Sequence, residues 1–355
     1  MRPIAFFFCT LWATHLGAGE PRFTLDVNLD GRHIEGLPLL WSRDHVLLGR
    51  DGRVWNFTPD EARDAHATSS TFHGFTAAEL RARLAAELGK AFEISGTGHY
   101  LVAHTPGQRD VWSRRFEDLY RSFVHYFKVR GFAVREPEFP LVAIVFRNQD
   151  EFLAYSRRDG ARIGTNVLGY YSQVSNRISL FDVGGGRTNG GDWQINAATI
   201  IHEATHQTAF NTGVHRRFGA APRWLVEGLG TMFEAQGVFA SAVNSSRPSR
   251  YNRGRLAQFQ QLLRSRAEGS LEELVASDRM FQAEVDRAYA EAWAVSFFLA
   301  ETRPRKYSEL LARTAARPAF ARYDAAQRRA DFRAVFGDNF RHLEAEFLAF
   351  MAEQR

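Results

Sequence analysis

Five residues, His202-Glu203-Ala204-Thr205-His206, constrain this chain more than any others in it. Two histidines four apart can share a target only if the backbone between them is an α-helix, because residues i and i+4 then stand on one face. Two imidazoles and a carboxylate on one helix face form half of a cation site, and Glu203 projects beside the pair, where it can accept a proton from water. The stretch from Trp193 to Gln236 supports that helix. Asp192 is the expected N-cap, and Ala197, Ala198, Ile201, Ala204, Thr205 and Thr208 supply a small or apolar backing. Ligands must be held rigidly by packing, so this backing is part of the requirement.

A catalytic zinc takes three protein ligands and leaves a position for water, so a third ligand is needed. A histidine six residues after the second is one solution, in the pattern H-E-x-x-H-x-x-G-x-x-H. Here Ala209 and Thr212 stand where the glycine and histidine belong. His215 is out of register and precedes Arg216 and Arg217, which reads as an exposed loop. The better candidate is Glu227 in Trp224-Leu225-Val226-Glu227-Gly228. Pro222 suits the first turn of a second helix, with Trp224, Leu225, Leu229 and Phe233 as its apolar face. Two antiparallel helices joined by a short loop can bring Glu227 to the histidine pair, and Glu234 is the fallback ligand on the same face.

H-E-x-x-H followed about twenty residues later by W-L-x-E-G resembles the gluzincin zinc metallopeptidases, the aminopeptidase N family above all. The resemblance implies an α+β, zincin-like catalytic domain: a mixed sheet and active-site helix, then an all-helical subdomain. It also implies one Zn²⁺ per chain held by His202, His206 and Glu227, with Glu203 as general base. That family has a tyrosine that opens a helix as Y-x-K-G and stabilises the oxyanion. Tyr289 stands in the comparable place, with Glu291-Ala292 in place of K-G. The spacer between His206 and Glu227 is slightly longer than in the family. The G-A-M-E-N element that grips a free amino terminus is absent, which removes the ground for aminopeptidase specificity. In position, the hairpin from Gly169 to Asp182, turning near Ser175-Asn176, resembles the edge strand on which gluzincins pair with substrate backbone.

The rest of the chain organises around this centre. Met1 to Gly19 has the layout of a secretory leader: Arg2, an apolar run from Ile4 to Leu16, then Gly17-Ala18-Gly19. The single cysteine, Cys9, lies inside it, so a mature chain would rely on an ordinary core without disulfides. Secretion or a periplasmic location is the expectation, with no membrane span in the mature chain. The net charge is +5, carried by arginines scattered among acids; Lys90, Lys128 and Lys306 are the only lysines. That scatter argues against nucleic acid as a partner, since a nucleic-acid surface gathers its charge into a patch.

Residues 20–70 read as a small β module, with Asp30-Gly31 and Asp51-Gly52 as turns and Ala65 to Ser70 as a linker. Residues 71–240 read as the α/β subdomain that carries the metal helix. It includes a capping box at Thr76–Glu79, a helix from Asp110 to Arg130, a buried strand at Pro140–Phe146 and a glycine-rich rim from Gly184 to Gly191. Residues 241–355 read as helical. The chemistry expected is hydrolysis of a peptide or protein substrate, with a silent peptide-binding or envelope-scaffold protein as the alternative. The sequence does not settle the oligomeric state.

Overall fold

The computed structural model describes residues 23–41, 44–183, 191–240 and 246–354. The leader with its Cys9 and the glycines from Gly184 to Gly190 lie outside the described residues. The architecture is α+β, and the chain divides into two units. The first comprises residues up to Gly89 with 138–140 and 172–176, and the second comprises the remainder.

In the first unit, strands β1 (Thr24–Leu29), β2 (Arg32–Trp41), β3 (His45–Gly49), β4 (Val54–Phe57) and β5 (Ala62–Ser69) form one sheet in the order β4-β3-β2-β1-β5. Asp30 and Gly31 join β1 to β2 with φ of 50° and 80°, the pair of positive values that a two-residue hairpin turn demands. Leu25, Val27, Leu47 and Phe57 form the core of this unit. The residues read as a linker, Ala65 to Ser70, lie largely within β5, which pairs antiparallel with β1. The period-2 signal is missing there because β5 is an edge strand of small and polar, mostly exposed residues, held by backbone pairing. Helix α1 (Ala77–Leu88) groups with this unit rather than with the α/β part, and the Thr76–Glu79 capping box starts it.

The sheet of the second unit contains β6 (Glu93–Gly96), β7 (Tyr100–His104), β8 (Leu141–Phe146), β9 (Gly169–Ser172) and β10 (Arg177–Phe181) in the order β6-β7-β8-β10-β9. Strands β7, β8 and β10 run parallel, and β6 is antiparallel to β7. Every residue of β8 is buried, which explains its unbroken apolar sequence: a central parallel strand has no wet face. Helices α2 (Arg109–Lys128) and α3 (Gln149–Arg158) cover this sheet. The hairpin Gly169–Phe181 turns at Asn176, whose φ of 59° is the left-handed conformation that asparagine tolerates. It leaves β9 at the edge.

Next comes α4 (Gly191–Thr212), the helix of the two histidines. It already includes Gly191, so Asp192 falls in the first turn rather than at the cap. The helix is apolar on more than one face because it belongs to two cores. Ile200 and Ala204 join the sheet core with Leu141, Ala143 and Ile178. Ile201 and Ala209 join the helical core with Trp224, Leu229 and Trp293. Gln207 adds a polar tie, donating from Nε2 to Val142 O of β8 at 3.0 Å.

The helical part follows as α5 (Arg223–Phe233), α6 (Gln236–Phe239), α7 (Arg253–Leu262), α8 (Ser270–Ala276), α9 (Met280–Ala283), α10 (Val285–Thr302), α11 (Pro304–Ala315), α12 (Ala325–Phe336) and α13 (Phe340–Ala352). Helix α10 is its axis, buried continuously from Ala290 to Ala300. Among the described residues no helix is long and apolar enough to cross a membrane.

Candidate metal centre

The arrangement starts from two helices that touch. Pro222 is the N-cap of α5 rather than its first residue, and Trp224, Leu225, Leu229 and Phe233 bury the inner face. Glu227, about 200° around the helix from Leu225, lies on another side of α5, the side that meets the two histidines of α4. His206 Nε2 lies 2.9 Å from His202 Nε2, and Glu227 Oε2 lies 3.3 Å from His202 Nε2 and 3.5 Å from His206 Nε2. These three atoms form the one group among the described residues that could hold a metal ion. A tetrahedral cation with bonds of about 2.0–2.2 Å separates its ligands by about 3.3 Å. The observed triangle fits that geometry. The donor set of two imidazoles and a carboxylate suits zinc, and the three side chains are only 11–14% exposed, unlike a solvated acidic cluster.

Charges within this site are tightly coupled. Burial opposes a charged His202, but hydrogen bonds to Glu227 and Glu234 outweigh it and hold the imidazole well above the usual histidine range. Burial likewise favours a neutral Glu227, yet its bonds to His202 and His206 hold it well below the ordinary carboxylate range. A bound cation would take over the role that a proton between these groups now plays.

Glu234 does not reach the ligand triangle. From the C-cap of α5 its Oε1 lies 2.8 Å from His202 Nδ1, the nitrogen that faces away from the triangle. Its Oε2 accepts from Asn252 Nδ2 at 2.7 Å, and Asn252 is the N-cap of α7. The fallback ligand is thus the carboxylate placed to orient His202, and to fix its tautomer should that imidazole hold a metal.

Two glycines make the helix contact possible. A Cβ on Gly230 would lie 2.9 Å from His202 Cε1 and 3.0 Å from His206 Cε1. One on Gly228 would meet Ala292 O and Ser296 Oγ of α10. Helix α5 therefore carries one bare spot toward the histidines and another toward α10. Sequence reasoning alone does not reach Gly230, Asn252 or Arg223; the signal it offers is the G-L-G run directly after Glu227.

Glu203 is partly buried, and its Oε2 accepts from the backbone N–H of Tyr171 in β9 at 2.7 Å. Burial pushes its carboxyl above the ordinary glutamate value, against the pull of His202 and His206. Tyr289 is on α10 with its ring centroid 6.5 Å from that of His202. Burial, then the charge of Glu227 and the hydrogen bond to it, raise the phenol above its usual value, so the hydroxyl stays protonated. Arg223 Nε stands 3.6 Å from Glu227 Oε1.

One sequence expectation is corrected here. His215 is not on an exposed loop: it is 1% exposed, lies against Phe210 and donates its backbone N–H to Ala209 O. Two arginines follow it, yet Val214, His215 and Arg217 are all buried and only Arg216 is exposed, so the polar composition does not make this an exposed loop. Glu291, which stands where the aminopeptidase N pattern has lysine, takes no part in the candidate metal centre. It is fully buried against Arg266 at 2.7 Å, and Arg266 also holds Glu344 at 2.6 Å.

A protein-family profile described as "Protein of unknown function (DUF1570)" matches residues 196–321, a stretch that includes both histidines, Glu227 and Tyr289. No curated protein matches the chain.

Proposed function

We propose that this chain is an exported zinc-dependent hydrolase of peptide bonds. The observation that carries the reading is the triangle of His202 Nε2, His206 Nε2 and Glu227 Oε2, with the carboxylate of Glu203 near enough to feel the charge of all three. The apolar leader from Ile4 to Leu16 supports secretion or a periplasmic location. When bound, zinc would supply a Lewis acid that polarises the scissile carbonyl and acidifies water.

The protein's own groups do the rest. Glu203, with its basicity raised by burial, accepts a proton from water as the oxygen attacks the carbonyl carbon. It returns that proton to the amine nitrogen as the C–N bond breaks. Tyr289, protonated throughout, donates to the carbonyl oxygen as negative charge develops there. The bond from Tyr171 N–H links the base to β9. That strand is an edge, so an extended peptide laid along its outer side would come to lie beside Glu203.

The deciding measurement is metal content together with cleavage of casein and of a mixed peptide library, for the mature chain beside Glu203→Gln. One zinc per chain in both proteins, with cleavage by the wild type alone, is the expected result. Zinc in both with cleavage by neither would favour a peptide-binding protein, and no zinc would end the proposal.

A further inference from the structure

Arg255 stands out from the other half-buried arginines of the helical part. Arg250 pairs with Glu301, Arg266 with Glu291 and Glu344, Arg303 with Glu346, and Arg328 with Asp278. Arg255 has no carboxylate partner among the described residues; its one side-chain hydrogen bond donates from Nη1 to the neutral Gln258 at 2.8 Å. A guanidinium carries five N–H donors in a fork that matches a carboxylate. No Arg255 nitrogen is among the buried unpartnered atoms of the described residues, so its remaining donors reach solvent and are open to a ligand.

Its position indicates what that is. The guanidinium carbon lies 5.0 Å from the ring centroid of Tyr289, stacked on it, and that centroid lies 6.5 Å from the ring of His202. The residue is also fixed there. Asn252, at the N-cap of α7, receives the N–H of Arg255 on Oδ1 at 3.2 Å and donates to Glu234, which holds His202. One short chain of hydrogen bonds therefore ties the Arg255 backbone to a ligand histidine. At about 3.3–3.6 Å per extended residue, these two distances keep the guanidinium within about three to four residues of the His202 ring.

We propose that Arg255 receives a substrate carboxylate, so that the site selects peptides with a negative charge within about four residues of the bond at the metal centre. Two chemical sources fit: the free C-terminal carboxylate of a short peptide, or an internal Asp or Glu side chain. This rests on the peptide-hydrolase reading for its substrate class, but its test is a binding measurement. Arg223 is not the receptor, because Glu227 already engages it.

The experiment is fluorescence anisotropy on the mature, zinc-loaded Glu203→Gln chain, which need not turn over. Three N-terminally labelled alanine-rich pentapeptides serve as probes: one with a free C-terminus, one amidated, and one amidated with glutamate in the penultimate position. At least one acidic probe is expected to bind about tenfold or more tightly than the neutral amide, the range of a charge-assisted pair. Which acidic probe prevails identifies the source. In Arg255→Gln the preference falls to near one. In Arg255→Lys, which keeps the charge but not the fork, part of it survives. Arg253→Gln, at an exposed position on the same helix, retains it. Circular dichroism on each variant separates misfolding from lost recognition.

Equal binding of all three probes, no binding of any, or an acid preference that persists in folded Arg255→Gln would each overturn the proposal. Carboxylate-dependent binding by a protein that cleaves nothing would keep this inference and sink the hydrolase reading. Cleavage with no acid preference would do the reverse.

Discussion

Replacing Gly230 by alanine should injure the metal centre more than the fold. An alanine Cβ would stand 2.9 Å from His202 Cε1, 3.0 Å from His206 Cε1 and 3.1 Å from His202 Nδ1. Comfortable carbon contacts begin near about 3.5 Å, so both rings must yield by roughly half an ångström or α5 must lift from α4. Overpacking of this kind costs about 1–3 kcal/mol. Alanine returns about 0.5–1 kcal/mol of helix propensity, so the metal-free protein should lose about 0–2.5 kcal/mol. The larger consequence is geometric. Ligands must hold within about 0.5 Å of their working positions, and the displaced groups are two of the three candidate ligands. Zinc affinity should fall by about 10–100-fold, the range seen when support for a metal ligand is lost. Competition for zinc against a chromophoric chelator measures this, with urea unfolding of the metal-free protein as its companion. Gly228→Ala gives the contrast, because its Cβ would meet Ala292 O of α10 and should unfold the helical core instead. If Gly230→Ala bound zinc as tightly as the wild type while gaining stability, the close approach described here would be wrong.

Three further outcomes follow from the geometry. Glu234→Gln keeps the shape but removes the charge behind His202 Nδ1, and should weaken zinc about 10–100-fold by the same competition assay while the metal-free protein still folds. Arg266→Ala leaves Glu291 and Glu344 buried without their cation and should cost about 3–5 kcal/mol in urea unfolding; a cost under 1 kcal/mol would refute the buried network. His215 has both ring nitrogens without hydrogen-bond partners among the described residues, and burial pushes its pKa down to about 3. The unfolded chain therefore binds a proton that the folded chain refuses. From this residue, stability is unchanged above about pH 6.5 and falls by about 1.4 kcal/mol per pH unit below it, down to about pH 3. His215→Phe should flatten that part of the stability curve and leave the protein equally or more stable at pH 7, and an unchanged slope in urea unfolding across pH 4–6 would refute it.

Local rules were enough for much of this molecule. The four-residue spacing of His202 and His206 puts both imidazoles on one face of any α-helix, whatever surrounds it. The Thr76–Glu79 capping box, the Asp30-Gly31 turn and the all-apolar β8 depend on backbone chemistry and burial within a few residues, and they are in the structure where the chain shows them. The outward reading of His215 and the linker reading of Ala65–Ser70 failed for the opposite reason. Whether one polar residue turns inward, or a plain polar segment finds a strand to pair with, depends on partners elsewhere: Phe210 in the first case and β1 in the second.

Within the candidate metal centre the same division holds. The sequence determined the chemical inventory: two histidines, Glu203, and a second helix that offers Glu227 and Glu234. Only the tertiary structure decided which carboxylate meets the triangle and which supports it from behind, because that depends on how α5 is rotated and how deeply it sits on α4. The glycines at 228 and 230 set that depth, and they act through the absence of a side chain. Asn252 and Arg255 lie even further from any local rule. They come to the site only because α7 begins where its N-cap can reach Glu234, a contact between residues eighteen positions apart that no periodicity encodes.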